Sequence, residues 1–133
     1  MRRVLVALVL VPILAACADL AADGPAPPTA IADSAWRIAS VNGREVPPAG
    51  RLEMAGGFIT GTGPCNTIRA NYIGPLPAFQ IEALSSTNRP CESAELEQEI
   101  ISALLRARQA EVVDGRLHLM EAGTTILVFD AVS

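Results

Sequence analysis

The sequence contains no lysine among its 133 residues, although it contains ten arginines. This absence excludes several chemistries at once, because each of them needs a lysine side chain. Phosphate-binding loops place a lysine on the phosphates, Schiff-base enzymes use a lysine amine, and penicillin-recognising enzymes use a Ser-x-x-Lys pair. None of these sites can be built from this chain.

Histidine is nearly as scarce, since His118 is the sole one. A cysteine or serine nucleophile needs a nearby base, usually histidine, and no Gly-x-Ser-x-Gly motif is present. The alternation of Leu117, His118 and Leu119 predicts that the imidazole faces solvent, away from the leucines. Zinc sites use cysteines or histidines at short spacings, which the chain lacks. The sequence therefore predicts no catalytic residue, no metal site and no cofactor.

The N-terminus has the pattern of a signal peptide. Arg2 and Arg3 precede an apolar run over residues 4–16, interrupted only by Pro12. A membrane-spanning helix needs about 20 apolar residues, so this shorter run is typical of a cleaved secretory signal. Residues 1–16 are therefore predicted to be removed from the mature protein.

The run ends in Leu-Ala-Ala-Cys, which resembles a bacterial lipobox, so we expect cleavage between Ala16 and Cys17 and lipidation of the Cys17 thiol. The alternative is an ordinary signal cut after small residues, which leaves Cys17 as a spare thiol. Several acyl chains anchor a protein stably, whereas one does so marginally. Ala18, rather than aspartate, follows the cysteine, which resembles an outer-membrane address. The expected location is the cell envelope, on the periplasmic face of the outer membrane.

The mature chain divides into a tether and one domain. Residues 17–33 are rich in alanine, proline and aspartate, which predicts a flexible tether, with an ordered arm as the alternative. Residues 34–133 are enough for a single domain with its own core. The mature part carries eight arginines and fourteen acidic residues, a net charge of −6. That balance disfavours nucleic acid and anionic membrane surfaces as partners.

The domain reads as a series of short strands. Residues 34–41 alternate, with Trp36, Ile38 and Ser40 on one face, and similar patterns recur in RLEMA, FITGTG, TIRANYI and AFQIEALSS. The last of these places Phe79, Ile81 and Ala83 on one side. EVPPAG is predicted to be a loop, and Asp-Gly at 114–115 predicts a hairpin.

One segment has a helical period. Residues 92–110 carry an apolar stripe, with acidic residues in the first turns and arginines in the last, as the helix dipole favours. The stripe comprises Leu96, Ile100, Ala103, Leu104 and Ala107. The acidic run, which includes Glu97, is interpreted as a solvated face rather than a metal site. The predicted fold class is α+β: a mainly antiparallel, strongly curved or barrel-like sheet of about eight short strands with one packed helix.

The order of these pieces resembles the META domain (HslJ-like) family of envelope lipoproteins. The resemblance covers about residues 34–131 and depends on two motifs. The first motif is matched by Gly61, Cys65, Asn66 and Tyr72, and the second by Thr87 and Cys91. Pro64 and Ala70 depart from it, since glycine is usual at both positions, which puts the local turn geometry in question. The resemblance implies a monomeric, non-catalytic domain tied to stress or antibiotic tolerance.

The two motif cysteines are the thiols that remain once Cys17 is lipidated. An oxidising compartment favours a Cys65–Cys91 disulfide, and two buried free thiols are the alternative. In the chain-entropy model, closing this loop stabilises the fold by roughly 3.5 kcal/mol.

Three functions are compatible with these features. The first is a non-catalytic envelope lipoprotein that is held on the membrane by its N-terminal lipid and binds or chaperones an envelope protein or lipid. The second is a small inhibitor of an envelope or host enzyme, which would use a protruding loop such as 47–50 or 74–77. An enzyme is the third, and it would need a cleft that joins His118 to carboxylates.

Overall fold

The computed structural model of the protein describes residues 31–132. These residues form eight strands and one helix: β1 (Ser34–Val41), β2 (Arg44–Ala55), β3 (Phe58–Thr62), β4 (Thr67–Ile73), β5 (Gln80–Ser86), α1 (Ala94–Arg106), β6 (Gln109–Val113), β7 (Arg116–Glu121) and β8 (Thr124–Val132). Every strand pairing is antiparallel, and the spatial order is β5-β4-β3-β2-β1-β8-β7-β6. The predicted α+β class and strand number are confirmed.

The sheet curls into a half-barrel, and its two edges meet at one point. The amide of Phe79 donates to the carbonyl of Arg108 at 3.0 Å, and the amide of Ala110 donates to the carbonyl of Pro77 at 2.8 Å. These bonds join the residues before β5 to the start of β6. Helix α1 packs on the sheet, where it contacts β1, β5 and β8.

Tight two-residue turns produce the meander. The turns Asn42-Gly43, Gly56-Gly57, Asp114-Gly115 and Ala122-Gly123 each have positive φ at both central residues. This combination is that of the type I′ turn, whose twist matches the twist of the strands on either side. The prediction of a hairpin at Asp114-Gly115 is confirmed.

The core lies between the inner face of the sheet and α1. Trp36 and Phe129 are both fully buried, and their strands β1 and β8 are neighbours. The β1–β8 pairing brings the two ends of the domain together and places both aromatic rings in one core. The predicted apolar stripe of the helix also faces the core. Its buried residues are Ile100, Ala103, Leu104 and Ala107, and Leu96 is half-buried.

Two β-bulges change the faces predicted by simple alternation. Register shifts after Ile38 turn Val41 into the core, although alternation placed it opposite Trp36. A second shift in the β4–β5 pairing exposes Ala83 and turns Leu84 inward. An extra residue on one strand inverts the alternation beyond it, which period-two patterns cannot anticipate.

The predicted loop at EVPPAG is wrong, because these residues belong to β2. Strand β3 pairs with β2 only from Arg51 onward, so the first half of β2 has one neighbour, β1. Pro47 and Pro48 fall at the irregular register of that pairing, where a missing N–H is tolerated.

The first packed residue and the ends of the helix also differ from the predicted bounds. The packed part of the chain begins at Ile31, which is 5% exposed, three residues before the predicted start at Ser34. The helix is shorter than the predicted range 92–110 and ends at Arg106. The chain leaves the helix at Ala107, and the Arg108 amide then donates to the Met120 carbonyl at 2.8 Å, which leads into β6.

Candidate functional site

Four of the motif residues, Cys65, Asn66, Thr87 and Cys91, gather around the buried carboxylate of Glu97. Glu97 is 1% exposed, so it is no part of a solvated acidic face. Its Oε2 accepts the backbone amides of Cys65 and Asn66, both at 2.8 Å, and its Oε1 accepts Nδ2 of Asn66 at 2.5 Å. A carboxylate with these donors is satisfied without water, which offsets the cost of its burial.

The spacing within the helix carried a signal for this burial. Glu97 precedes Ile100 by three residues and Leu104 by seven, so it lies on the same helix face as the apolar stripe. Its neighbour Glu95 lies on another face and is exposed. The acidic composition of the run as a whole favours a solvated face, whereas the position of Glu97 on the apolar stripe indicates burial.

Asn66 links this carboxylate to the second motif. Its side-chain Oδ1 accepts the hydroxyl of Thr87 at 2.8 Å and the amide of Arg89 at 2.7 Å. The Thr87 hydroxyl in turn accepts the amide of Thr67 at 3.1 Å. Asn66 thereby joins the β3–β4 connection, the segment after β5 and helix α1. We call Asn66, Thr87 and Glu97 the polar node.

The Cys65–Cys91 disulfide lies beside the polar node. It joins the β3–β4 connection to the residues that lead into α1, with a Cα–Cα distance of 6.1 Å. The predicted pairing of these cysteines is confirmed, and the alternative of two free thiols is set aside. The disulfide and the node therefore hold the same corner of the domain by different means.

Two glycines allow this corner to close. A Cβ on Gly63 would lie 2.7 Å from Oε2 of Glu97 and 3.0 Å from the Cδ1 of Ile68. A Cβ on Gly61 would collide with the carbonyl oxygen of Arg51, and its φ of +156° disfavours other residues. The motif glycine Gly61 thus lets β2 and β3 approach closely.

The remaining motif residue, Tyr72, has a packing role. Its ring stacks on that of Phe79, with centroids 5.7 Å apart and planes at 21°. Ala70, where the family usually has glycine, is 5% exposed and its small side chain fits within the core. Both positions therefore support the packing of the sheet.

His118 is half-buried, so the predicted solvent exposure is wrong in degree, although the ring does lie opposite the buried leucines. It sits in the middle of β7, where Glu111 and Val128 are its cross-strand neighbours, and these strands restrict access to it.

Among residues 31–132 no group of three or more potential ligands could hold a metal ion. Within the same range, no helix is both long and apolar enough to cross a membrane. The predicted lipidation residue Cys17 and cleavage residue Ala16 lie outside the described residues.

A groove of about 400 Å³ lies on the outer face of β3, β4 and β5. Two rows of paired residues cross it: Phe58–Asn71–Ala83 and Thr60–Arg69–Ser85. Phe58 is 56% exposed and forms its apolar end. Ligand sites are commonly concave surfaces of this size that combine apolar side chains with a few polar groups.

Comparison with known proteins places this architecture in a family. A model of the META domain matches residues 29–133. A protein from Burkholderia xenovorans solved by NMR is similar in fold, with a TM-score of 0.64, 15% identity, and coverage of 100% of this chain and 99% of that one. A second NMR structure has a TM-score of 0.58 and 22% identity, and covers 74% of this chain and 88% of that one. No curated protein matches. The chain belongs to the META domain family, which is not a known family of enzymes.

Proposed function

We propose that this protein is a non-catalytic lipoprotein of the bacterial cell envelope, and that its domain binds another envelope component in stress or antibiotic tolerance. The observation that carries the proposal is the outer groove with its exposed Phe58, in a domain of the META family. A large aromatic side chain left 56% exposed beside a groove is typical of a contact surface.

The polar node supports a binding role over a catalytic one. Every hydrogen-bonding atom of the Glu97 carboxylate and of the Asn66 amide is engaged inside the fold. A general acid or base must instead reach a substrate proton within about 3 Å. The family motif thus serves the structure, and the outer surface is left for recognition.

The first test concerns anchoring at Cys17. Metabolic labelling with an alkyne fatty acid should tag the full-length wild type, and Cys17→Ser should lose the label, because the thiol is the acceptor. Cys65→Ser is the matched control and should keep it. Label that persists in Cys17→Ser contradicts the anchor. Fractionation of the two membranes would check the predicted outer-membrane location.

The second test concerns the binding surface. A photoreactive amino acid replaces Phe58 in the full-length chain in living cells, and the control replaces Val113, an equally apolar position that is 44% exposed on β6. We expect a crosslinked envelope component from the Phe58 position alone. Identical adducts from both positions, or none from Phe58, would contradict the proposal.

If the protein is instead an inhibitor, only one of the two loops predicted to contact the target enzyme is a loop in the structure. Residues 47–50 lie within β2 and do not protrude. In the loop 74–77, Leu76 is 44% exposed, while the bond between the Ala110 amide and the Pro77 carbonyl holds the loop in place. If the protein is an inhibitor, a photoreactive group at Leu76 should capture an enzyme whose activity the domain lowers, and Leu76→Asp should relieve the inhibition.

A further inference from the structure

The outer edge of β5 has backbone groups available for pairing. Strand β5 ends the sheet, and within residues 31–132 no strand pairs with it beyond the bridge before its start. The Thr87 amide donates to the Thr67 carbonyl at 3.1 Å, which makes this a hydrogen-bonded pair of the β4–β5 ladder. Alternation along an antiparallel ladder then directs the amide and carbonyl of Ser86 and Leu84 away from β4.

The groove opens toward this free edge. The outward side chains of β5 here, Ala83 and Ser85, are small and exposed. Directly behind them on β4 stand Asn71, beside Ala83, and Arg69, beside Ser85, and Phe58 lies one strand further in, on β3. A chain lying along β5 would therefore have the guanidinium directly behind Ser85, and the aromatic ring at the far end of the Ala83 row, beyond Asn71.

The guanidinium in the groove has no carboxylate partner. Four arginines form ion pairs, namely Arg44, Arg51, Arg106 and Arg116. Arg69 forms none with the residues that the structure describes, and it is the charged residue of the groove lining. An unpaired cation on a protein whose net charge is −4 marks a place where an anionic group is favoured.

We propose that an extended segment of a partner protein adds to β5 as an antiparallel strand, with an acidic side chain directed at Arg69 and an apolar one that packs on Ala83, in the row that leads to Phe58. This inference rests on the proposed binding function and specifies its site and ligand class. Residues two apart in a strand share a face and lie about 7 Å apart, which matches the spacing of the two rows. Antiparallel pairing puts the acidic residue opposite Ser85 and the apolar residue, two positions later, opposite Ala83.

A strand fits these features better than an acyl chain with an anionic head. The groove is open on the outside of the sheet, so an acyl chain would leave one side in water. A peptide strand gains hydrogen bonds from the outward groups of Leu84 and Ser86, as in other cases of β-strand addition. The acidic side chain then adds specificity through a charge-assisted bond with Arg69.

The probes are three capped heptapeptides that carry the order Glu-Thr-Φ at their centre, where Φ is leucine, valine or phenylalanine. They are titrated to about 2 mM into the lipid-free domain, residues 17–133 with Cys17→Ser, and amide shifts are followed by NMR. We expect perturbations along β5 and at Arg69. The reversed order, Φ-Thr-Glu, should bind at least about fivefold more weakly, because its charge faces Ala83. Absence of shifts with all three peptides would overturn the proposal.

Arg69→Gln should weaken binding roughly tenfold, the usual effect of losing a hydrogen bond to a charged group. Arg37→Gln removes the same charge from β1, outside this groove, and should change little. Arg69→Glu should restore binding to a peptide with Lys-Thr-Φ. N-methylation of the central threonine removes a donor without altering the protein, and should abolish the shifts. Equal affinities for Arg69→Gln and Arg37→Gln, or binding that survives N-methylation, would refute the strand.

The two proposals fail in different ways. Crosslinks from the Phe58 position with no peptide binding at β5 would leave the envelope-binding function standing and remove this site. Peptide binding at β5 with no envelope component captured in cells would remove the proposed function and leave the peptide-binding site.

Discussion

At the scale of single residues, Glu97 is the side chain on which the motif corner depends most. Glu97→Ala leaves three donors without their acceptor: the partly buried amide of Cys65, and the buried amide and Nδ2 of Asn66. We expect the free energy of unfolding to fall by about 3–5 kcal/mol, because each donor left without its acceptor costs about 1–3 kcal/mol. Urea unfolding of the lipid-free domain measures it.

The matched control for this prediction is Glu95→Ala. Glu95 lies in the same first turn of α1 but is exposed, so it contributes only its interaction with the helix dipole. Its removal should cost under about 1 kcal/mol. Similar losses for the two variants would mean that the polar node adds nothing beyond the dipole.

A second prediction at this scale concerns Trp36. The burial of its ring stabilises the fold, whereas the burial of its unpaired indole N–H destabilises it. The ring is 0% exposed, and within the described part of the chain its Nε1 has no hydrogen-bond partner. Trp36→Ala should cost about 3–5 kcal/mol through the cavity it leaves. Trp36→Phe should cost under about 2 kcal/mol, because losing the unpaired donor offsets part of the lost packing.

Thermal and urea unfolding of the two Trp36 variants check this difference. His118→Ala, in the half-buried middle of β7, serves as a reference and should cost under about 1 kcal/mol. A Trp36→Phe variant as unstable as Trp36→Ala would indicate that the indole N–H is engaged after all.

At the scale of elements, the disulfide and the polar node hold helix α1 to the β3–β4 connection in parallel. The double variant Cys65→Ala with Cys91→Ala loses the covalent link, but the bonds between Glu97 and Asn66 do not depend on it. We expect a loss of about 2–4 kcal/mol with the fold retained, chiefly because the unfolded chain gains freedom.

Unfolding of the double variant beside reduced wild-type protein checks this prediction. The two should agree in their midpoints, because both lack the same covalent link. Loss of a cooperative transition in the double variant would show that the hydrogen bonds of the node cannot hold this corner alone.

At the scale of the whole molecule, the domain begins earlier than its first strand. Ile31 is 5% exposed and belongs to the main core cluster, although it precedes β1 by three residues. A fragment of residues 31–133 should therefore be as stable as residues 17–133 with Cys17→Ser. A fragment of residues 34–133 should lose about 2 kcal/mol, the value of one buried isoleucine.

Urea unfolding of the three fragments gives this comparison directly, and Ile31→Ala in the longest fragment is the control for end effects. Equal stability of the 31–133 and 34–133 fragments would place the start of the domain at Ser34, as the composition of the preceding residues suggests.

The sequence by itself determined the number of strands, the hairpin turn at Asp114-Gly115 and the approximate position of the helix. Alternation and glycine-containing turns act between neighbouring residues, so they can be read locally, as Asp114-Gly115 illustrates. The pairing of Cys65 with Cys91 also followed from the chain, because a small number of thiols left few alternatives.

Only the tertiary structure decided which polar and apolar residues lie inside. The bulge after Ile38 carries Val41 into the core, and the contact with the β3–β4 connection makes Glu97 a buried acceptor rather than a solvated acid. The groove could not be predicted from the sequence either, because the pairing of β3 with β4 is what brings Phe58 and Arg69 to the same surface. These outcomes depend on contacts between residues far apart in the chain, and among them only the burial of Glu97 had a local signal, its place on the apolar stripe of α1.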